Sequence, residues 1–299
     1  MSLKPLNHFR KAVVVSAVVA TPVMANENPL NIEFSGLIEA SVSKTDGEDS
    51  QSAVDTLELG ISAQFNDQVS AEIILLQEDI NTDDQTDFEV HTALIHMDTG
   101  FGTLSAGKFT APFTTGETNM IEDSTTLVEP AGVGLSFSGE VDMVEYPIYA
   151  VDPVKDDTTD ITGNTYADEA ALGFGDLAGI NVNVAFTDEV AFNGSYAKID
   201  DKTGTSGALI CSFGELGIIL ETTKIEDEDK AHSNVEVSYD LGFGVVAAAL
   251  QKDADDVDYH SVGFSKDVYE NTNLNLQFMQ TDDGKDESNS LAAMLAFEF

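Results

Sequence analysis

The sequence predicts an all-β protein, a transmembrane antiparallel β-barrel of sixteen strands behind a cleaved export signal. Three observations carry that reading. Apolar and polar residues alternate with period two in segment after segment, which sets one face of each strand against an apolar surround and the other against water. The polar gaps between segments alternate between short and long, as tight turns on one rim and extended loops on the other require. The chain then closes on Leu291, Ala293, Leu295, Phe297 and Phe299, alternating with Ala292, Met294, Ala296 and Glu298. A solvated terminus has no use for two phenylalanines. A closing strand in a bilayer needs apolar outward residues and an interfacial aromatic.

Residues 1–25 stand apart. Lys4, Arg10 and Lys11 precede the apolar run 12–20, and Val23, Met24 and Ala25 supply a cleavage site before Asn26. The run is too short to span a bilayer as a helix, so this is a secretory signal peptide, and 26–299 is the barrel. Without it the chain keeps ten basic residues, all lysine, against 54 acidic ones, a formal net charge of −44. Such a balance argues against nucleic acid and anionic solutes and favours cations or strong solvation. Cys211 is the single cysteine, which rules out an intramolecular disulfide. No apolar run reaches the roughly 18 residues that a membrane-crossing helix needs.

The first strand reads from the alternation of Ile32, Phe34, Gly36, Ile38, Ala40 and Val42 with Glu33, Ser35, Glu39, Ser41 and Ser43. Leu57, Leu59, Ile61, Ala63 and Phe65 repeat it, as do Val235, Val237 and Tyr239, then Leu274, Leu276 and Phe278. One segment, 245–250, is apolar on both faces. Short gaps fall at 66–67, 98–102, 139–142, 175–179, 214–216 and 241–243. Long acidic gaps fall at 45–53, 79–87, 110–130, 152–166, 200–206, 226–231, 253–257 and 282–287. The count is sixteen when 180–199 is one long strand. Splitting it at 187–189 gives seventeen, which would leave the termini on opposite sides of the membrane. Fourteen follows if two weak segments are not strands. A barrel of this size encloses an aqueous lumen.

The longest loop, 110–130, carries Glu117, Glu122, Asp123 and Glu129. Folded inward it would place carboxylates in a permeation path and favour cations; packed on the rim it would not. The inward positions Glu33, Glu39, Glu58, Glu72 and Glu236, among Ser, Thr, Gly and Asn, favour a wet channel over a closed structural or adhesin-like barrel.

The stretch Gly107-Lys108-Phe109-Thr110-Ala111-Pro112-Phe113, with Gly116, Glu117 and Thr118, resembles the strand-to-loop signature of the siderophore porin family (LbtU-like). The segment 32–39 resembles that family's first strand. The resemblance implies a barrel that passes iron-siderophores passively, without an energy-coupled plug, and makes Gly107, Lys108, Pro112 and Phe113 its marker residues. The alternative is a general acidic porin preferring cations or neutral solutes. Either way the chain is expected in the outer membrane of a Gram-negative cell, with small diffusing solutes, lipid and lipopolysaccharide as its partners. Leu295, Phe297 and Phe299 resemble the signal read by the barrel assembly machinery.

Lys44, Lys108, Lys198, Lys224 and Lys252 fall where rising strands meet long loops, in phase with the lipid-facing residues. Such a belt would pair with lipopolysaccharide phosphates or simply snorkel at the membrane boundary. By alternation His91 and His96 lie on opposite faces of one strand. No Ser/His/Asp cluster points to an enzyme, and neither a cofactor nor a metal site is expected. The acidic gaps 253–258 and 282–287 lack the Gly at the sixth and the Glu at the twelfth position of an EF-hand loop and read as solvated loops.

Overall fold

The computed structural model describes residues 30–299 apart from 48, 81–85, 114–117, 119, 122–130, 154–176, 200–201 and 227–229. The described residues form sixteen strands: β1 (Asn31–Thr45), β2 (Gln51–Asn66), β3 (Val69–Ile80), β4 (Glu89–Asp98), β5 (Thr103–Thr110), β6 (Ala131–Val141), β7 (Val144–Pro153) and β8 (Leu177–Thr187). The second half is β9 (Val190–Ile199), β10 (Lys202–Phe213), β11 (Leu216–Ile225), β12 (His232–Asp240), β13 (Val245–Lys252), β14 (Asp258–Tyr269), β15 (Thr272–Asp282) and β16 (Glu287–Glu298). Each pairs antiparallel with the next and β1 pairs with β16, so the sheet is a closed barrel. Closure removes both edges, the only way a sheet can satisfy its backbone in lipid.

Alternation becomes facing direction. Along β16 Leu291, Leu295 and Phe297 are exposed on the outer wall, while Ala292, Met294 and Ala296 are buried inside. The hairpins 67–68, 142–143, 188–189, 214–215 and 270–271 all lie on the rim that holds the chain's end. Asp142, Gly214 and Asn271 adopt φ of 54°, 65° and 58° there, the left-handed geometry that tight hairpins demand. The same rim carries exposed Phe65, Phe101, Phe186, Phe213, Phe243, Tyr269 and Phe297, an aromatic girdle for a membrane interface. At the opposite rim the strand ends stand farther apart in sequence, as from Ile80 to Glu89, Thr110 to Ala131 and Pro153 to Leu177.

The seam rests on the last residue. Gly36 N–H donates to the Phe299 carbonyl at 2.9 Å and Phe299 N–H returns the bond at 3.0 Å. The Phe299 ring covers Gly36, where a Cβ would collide with it, and stacks with Phe297 at 5.9 Å. A Cβ at 36 would also come within 2.9 Å of the Glu58 carbonyl, so a larger residue there has to displace the closing ring.

Three expectations about the strands are corrected. Residues 180–199 are not one strand: they are the end of β8, a turn at 188–189, and β9. A two-residue turn leaves the parity of outward positions unchanged, so the apolar phase runs through it. The turn expected at 175–179 is partly strand, because β8 starts at Leu177, and β10 takes up most of the loop expected at 200–206. The total stays at sixteen. Residues 1–25, the expected signal peptide, lie outside the described residues.

Candidate functional site

The loop after β5 crosses the lumen, and its root shows how. At Gly107 (φ +142°) a Cβ would run into the Ala93 carbonyl. Beyond it Phe109, Ala111 and Phe113 turn inward and join Tyr149, Val151, Leu177, Ala197 and Ile225 in one buried cluster, with Leu94 against it. From that root the loop reaches β12, β13 and β15. Thr118 Oγ1 donates to Glu236 Oε2 at 2.7 Å, and Ile121 N–H donates to Gln277 Oε1. Met120 sits on Ala247 and Ala249. Strands β5 and β13 are eight places apart in a ring of sixteen, so the described part of the loop spans the barrel's diameter. The alanines explain why 245–250 is apolar on both faces: one faces lipid, the other seats Met120.

The crossing leaves two unlike walls. On β1–β4 the inward side chains include a set of half-exposed carboxylates. Glu33 and Glu72 flank Ser62 in one row of the register, Glu58 stands beside Leu37, and Glu39 beside Thr56. Glu33, Ser35, Gly60, Ser62 and Glu72 line a shared recess. His96 Nε2 lies 3.3 Å from Glu72 Oε1, and its Nδ1 is 2.8 Å from Ser105 Oγ. On β6–β11 most inward side chains are buried, in the cluster above and then an amide network, while Glu140 and Glu145 face each other, exposed, at the turn-side end. Asn181 and Asn193 exchange bonds at 3.0 and 3.1 Å, Asn193 Nδ2 donates to Asn183 at 2.7 Å, and Asn181 Nδ2 to Ser195 Oγ at 2.6 Å. Glu221 also faces inward there, 4% exposed, and accepts from Ser206 Oγ at 3.4 Å.

Of the expected site residues, Glu33, Glu39, Glu58 and Glu72 share one wall, while Glu236 stands across the lumen under the loop. Glu117, Glu122, Asp123 and Glu129 lie outside the described residues. Gly107, Pro112 and Phe113 build the loop root. Lys108 shares register with outward Ala93 and Val133, yet its ammonium approaches Glu89 Oε2 at 3.8 Å and its side chain is 17% exposed. His91 is the extra residue of a bulge where Ile74 opposes Thr92 and Leu75 opposes Val90, with its Nε2 3.5 Å from Thr110 Oγ1. Ser105 and Glu221 were not singled out from the sequence, because strand phase assigns a face but not a neighbour.

Lys44, Lys198, Lys224 and Lys252 do lie on the outer face at the long-loop rim. Lys224 Nζ donates to the Lys230 carbonyl at 3.0 Å, and Lys252 Nζ stands 3.5 Å from Asp256 and 3.2 Å from Asp258; Lys230 also pairs with Asp256. The acidic loops cap themselves. Asp253 Oδ1 accepts from the N–H groups of Asp255 and Val257, and Asp283 Oδ1 from those of Lys285 and Asp286. The backbone bonds from Asp286 and Lys285 hold the Asp283 carboxyl below its usual range.

The family model for Gram-negative porins matches residues 12–297. The chain belongs to the Gram-negative porin family. This porin is therefore an outer-membrane channel for the diffusion of small solutes. Among solved structures it is similar to the outer-membrane channel DcaP of Acinetobacter baumannii, at 13% identity and a TM-score of 0.68 over 92% of this chain and 99% of that one. It is also similar to OmpF of Salmonella typhi, solved with daunomycin (14%, TM-score 0.64, 91% and 98%). An anion-selective porin from Comamonas acidovorans matches at 14% and 0.61, over 91% and 100%. At these identities the likeness is one of fold. Comparison with curated proteins by sequence finds no match.

Proposed function

We propose that this porin conducts passively with a preference for cations, and that its ions follow the carboxylate wall of β1–β4. The observation that carries the proposal is the asymmetry of the lumen: Glu33, Glu39, Glu58 and Glu72 are half-exposed on one side, while the wall of β6–β11 is packed except at its turn-side end, where Glu140 and Glu145 are exposed. Fixed negative charge along a narrow wet path raises local cation concentration and repels anions. Single-channel recording in planar bilayers under a KCl gradient tests it. The expected reversal potential has the sign of potassium selectivity; a chloride-selective sign, or no conductance, would contradict the proposal.

The siderophore reading leans on the 107–113 signature. Phe109 and Phe113 of that signature are occupied in the loop root, so the motif has a structural task whatever the solute. Liposome uptake of a ferric siderophore, compared with a cation of similar size, separates the two readings. On the outer wall, Lys44, Lys198, Lys224 and Lys252 support contact with lipopolysaccharide phosphates; changing these and Lys108 to Gln should reduce lipopolysaccharide co-purification, and unchanged retention would refute the belt. The Phe299–Gly36 closure supports a role for Leu295, Phe297 and Phe299 in assembly. Deleting Phe299 should lower outer-membrane levels more than it alters the conductance of channels that do form.

A further inference from the structure

We infer that Glu72 and His96 form a transit site for late first-row divalent cations, of the Zn²⁺ or Ni²⁺ kind, at the turn-side end of the carboxylate wall. The inference deepens the cation reading and rests on it. Glu72 is the fourth residue of β3 and His96 the third from the end of β4, so both lie near the rim of short turns. His96 Nε2 and Glu72 Oε1 stand 3.3 Å apart. Two ligands bound to one zinc at about 2.0–2.2 Å stand roughly 3.0–3.4 Å apart at octahedral to tetrahedral angles, so the pair is already spaced as one edge of a coordination shell.

The ring is also oriented. Ser105 Oγ, on β5, meets Nδ1 at 2.8 Å, which holds the imidazole and leaves Nε2 directed at the carboxylate, the outer-shell arrangement of metal-binding histidines. Glu72 also lines a recess with Glu33, Ser35 and Ser62, walled besides by Phe34, Ile61, Ile73 and Ile74, so a second carboxylate and two hydroxyls stand nearby. Side-chain exposure of 25% at His96 and 37% at Glu72 leaves the pair open to the lumen. Imidazole with carboxylate favours late first-row metals over Mg²⁺ and Ca²⁺, which take oxygen alone.

Among the described residues no group of three His, Cys, Asp or Glu converges to hold a metal. Two protein ligands completed by water make a weak site. Weakness suits conduction, since an ion that enters must also leave. His91, at the bulge farther along β4, has Thr110 Oγ1 at 3.5 Å from its Nε2 and serves as the comparison.

The test is potassium current through the wild-type porin in planar bilayers with ZnCl₂ or MgCl₂ added at equal concentration. Zn²⁺ should reduce the current at concentrations where Mg²⁺ does not. His96→Gln and Glu72→Gln should each remove the difference, Ser105→Ala should raise the half-blocking Zn²⁺ concentration about tenfold, and His91→Gln should leave it unchanged. Equal effects of Zn²⁺ and Mg²⁺, or a zinc effect that survives His96→Gln, would overturn the site. The reversal potential in KCl alone is read in the same recordings, so failure of the cation preference shows separately. Heat-modified electrophoretic mobility checks that each variant is a folded barrel, and the Glu72 variant tests the site again should His96→Gln not fold.

Discussion

The walls of β1–β4 and β6–β11 come from the same alternating pattern and end as different materials. On β1–β4 the inward positions hold Glu33, Glu39, Glu58 and Glu72, each half-exposed. On β6–β11 they hold Tyr149, Val151, Leu177, Ala197, Ile225 and the amides of Asn181 and Asn193, all buried. The difference comes from where the loop after β5 goes. Its root, Phe109 to Phe113, packs on one sector of the lumen, and its described part then spans to β12, β13 and β15. One sector becomes a core in the ordinary sense, with close packing. The other keeps half-exposed carboxylates in contact with water, which limits the desolvation that full burial would impose on them.

Paired substitutions on the two walls sharpen that contrast. The largest effect is expected from Phe113→Ala, which removes a ring that is 1% exposed and should cost about 3–5 kcal/mol. Leu37→Ala, on the open wall, should cost well under half of that. Thermal unfolding in detergent micelles reads both, and equal losses would mean that the walls do not differ in packing. Next comes Thr118→Val, which removes the bond to the Glu236 carboxylate and should loosen the loop by about 1.5–3 kcal/mol. Larger or noisier single-channel conductance is the expected result; unaltered traces would show that Met120 and Ile121 suffice to hold the crossing. The smallest effect belongs to the amide network. Asn193→Ala should destabilise the barrel by about 1–3 kcal/mol, because it leaves buried amide partners unmatched. Ser35→Ala on the open wall should be close to neutral, since water can replace the hydroxyl.

The architecture was legible because a barrel in lipid must write its two faces into the sequence with period two. The terminal strand and the pairing of the last strand with the first followed from that; the total of sixteen matches although 180–199 holds two strands, because no strand is described between Pro153 and Leu177, where one was expected. The turn at 188–189 did not follow, since two residues preserve parity and the apolar phase of 180–199 passes through it unbroken. The bulge at His91 was not legible either: one extra residue interrupts the pairing of β3 with β4, and no spacing in the chain marks it. Glu33, Glu39, Glu58 and Glu72 could be assigned to the lumen one by one, but their sharing a wall is a consequence of strand neighbourhood. The pair Glu72–His96, on adjacent strands, and the seat of Met120 on Ala247 and Ala249 are contacts across space, and no spacing in the chain records them. The double apolarity of 245–250 was the one trace of that seat.

The central claim is that ions follow the carboxylates of β1–β4. It is met most directly by the reversal potential, in a KCl gradient, of a variant in which Glu33, Glu39, Glu58 and Glu72 are all glutamine. The potential should fall most of the way toward zero while the channel stays open, and the same number of Gln substitutions at acidic residues of the outer loops should leave it near the wild-type value. A quadruple variant that keeps the full cation preference of the wild type would contradict the account.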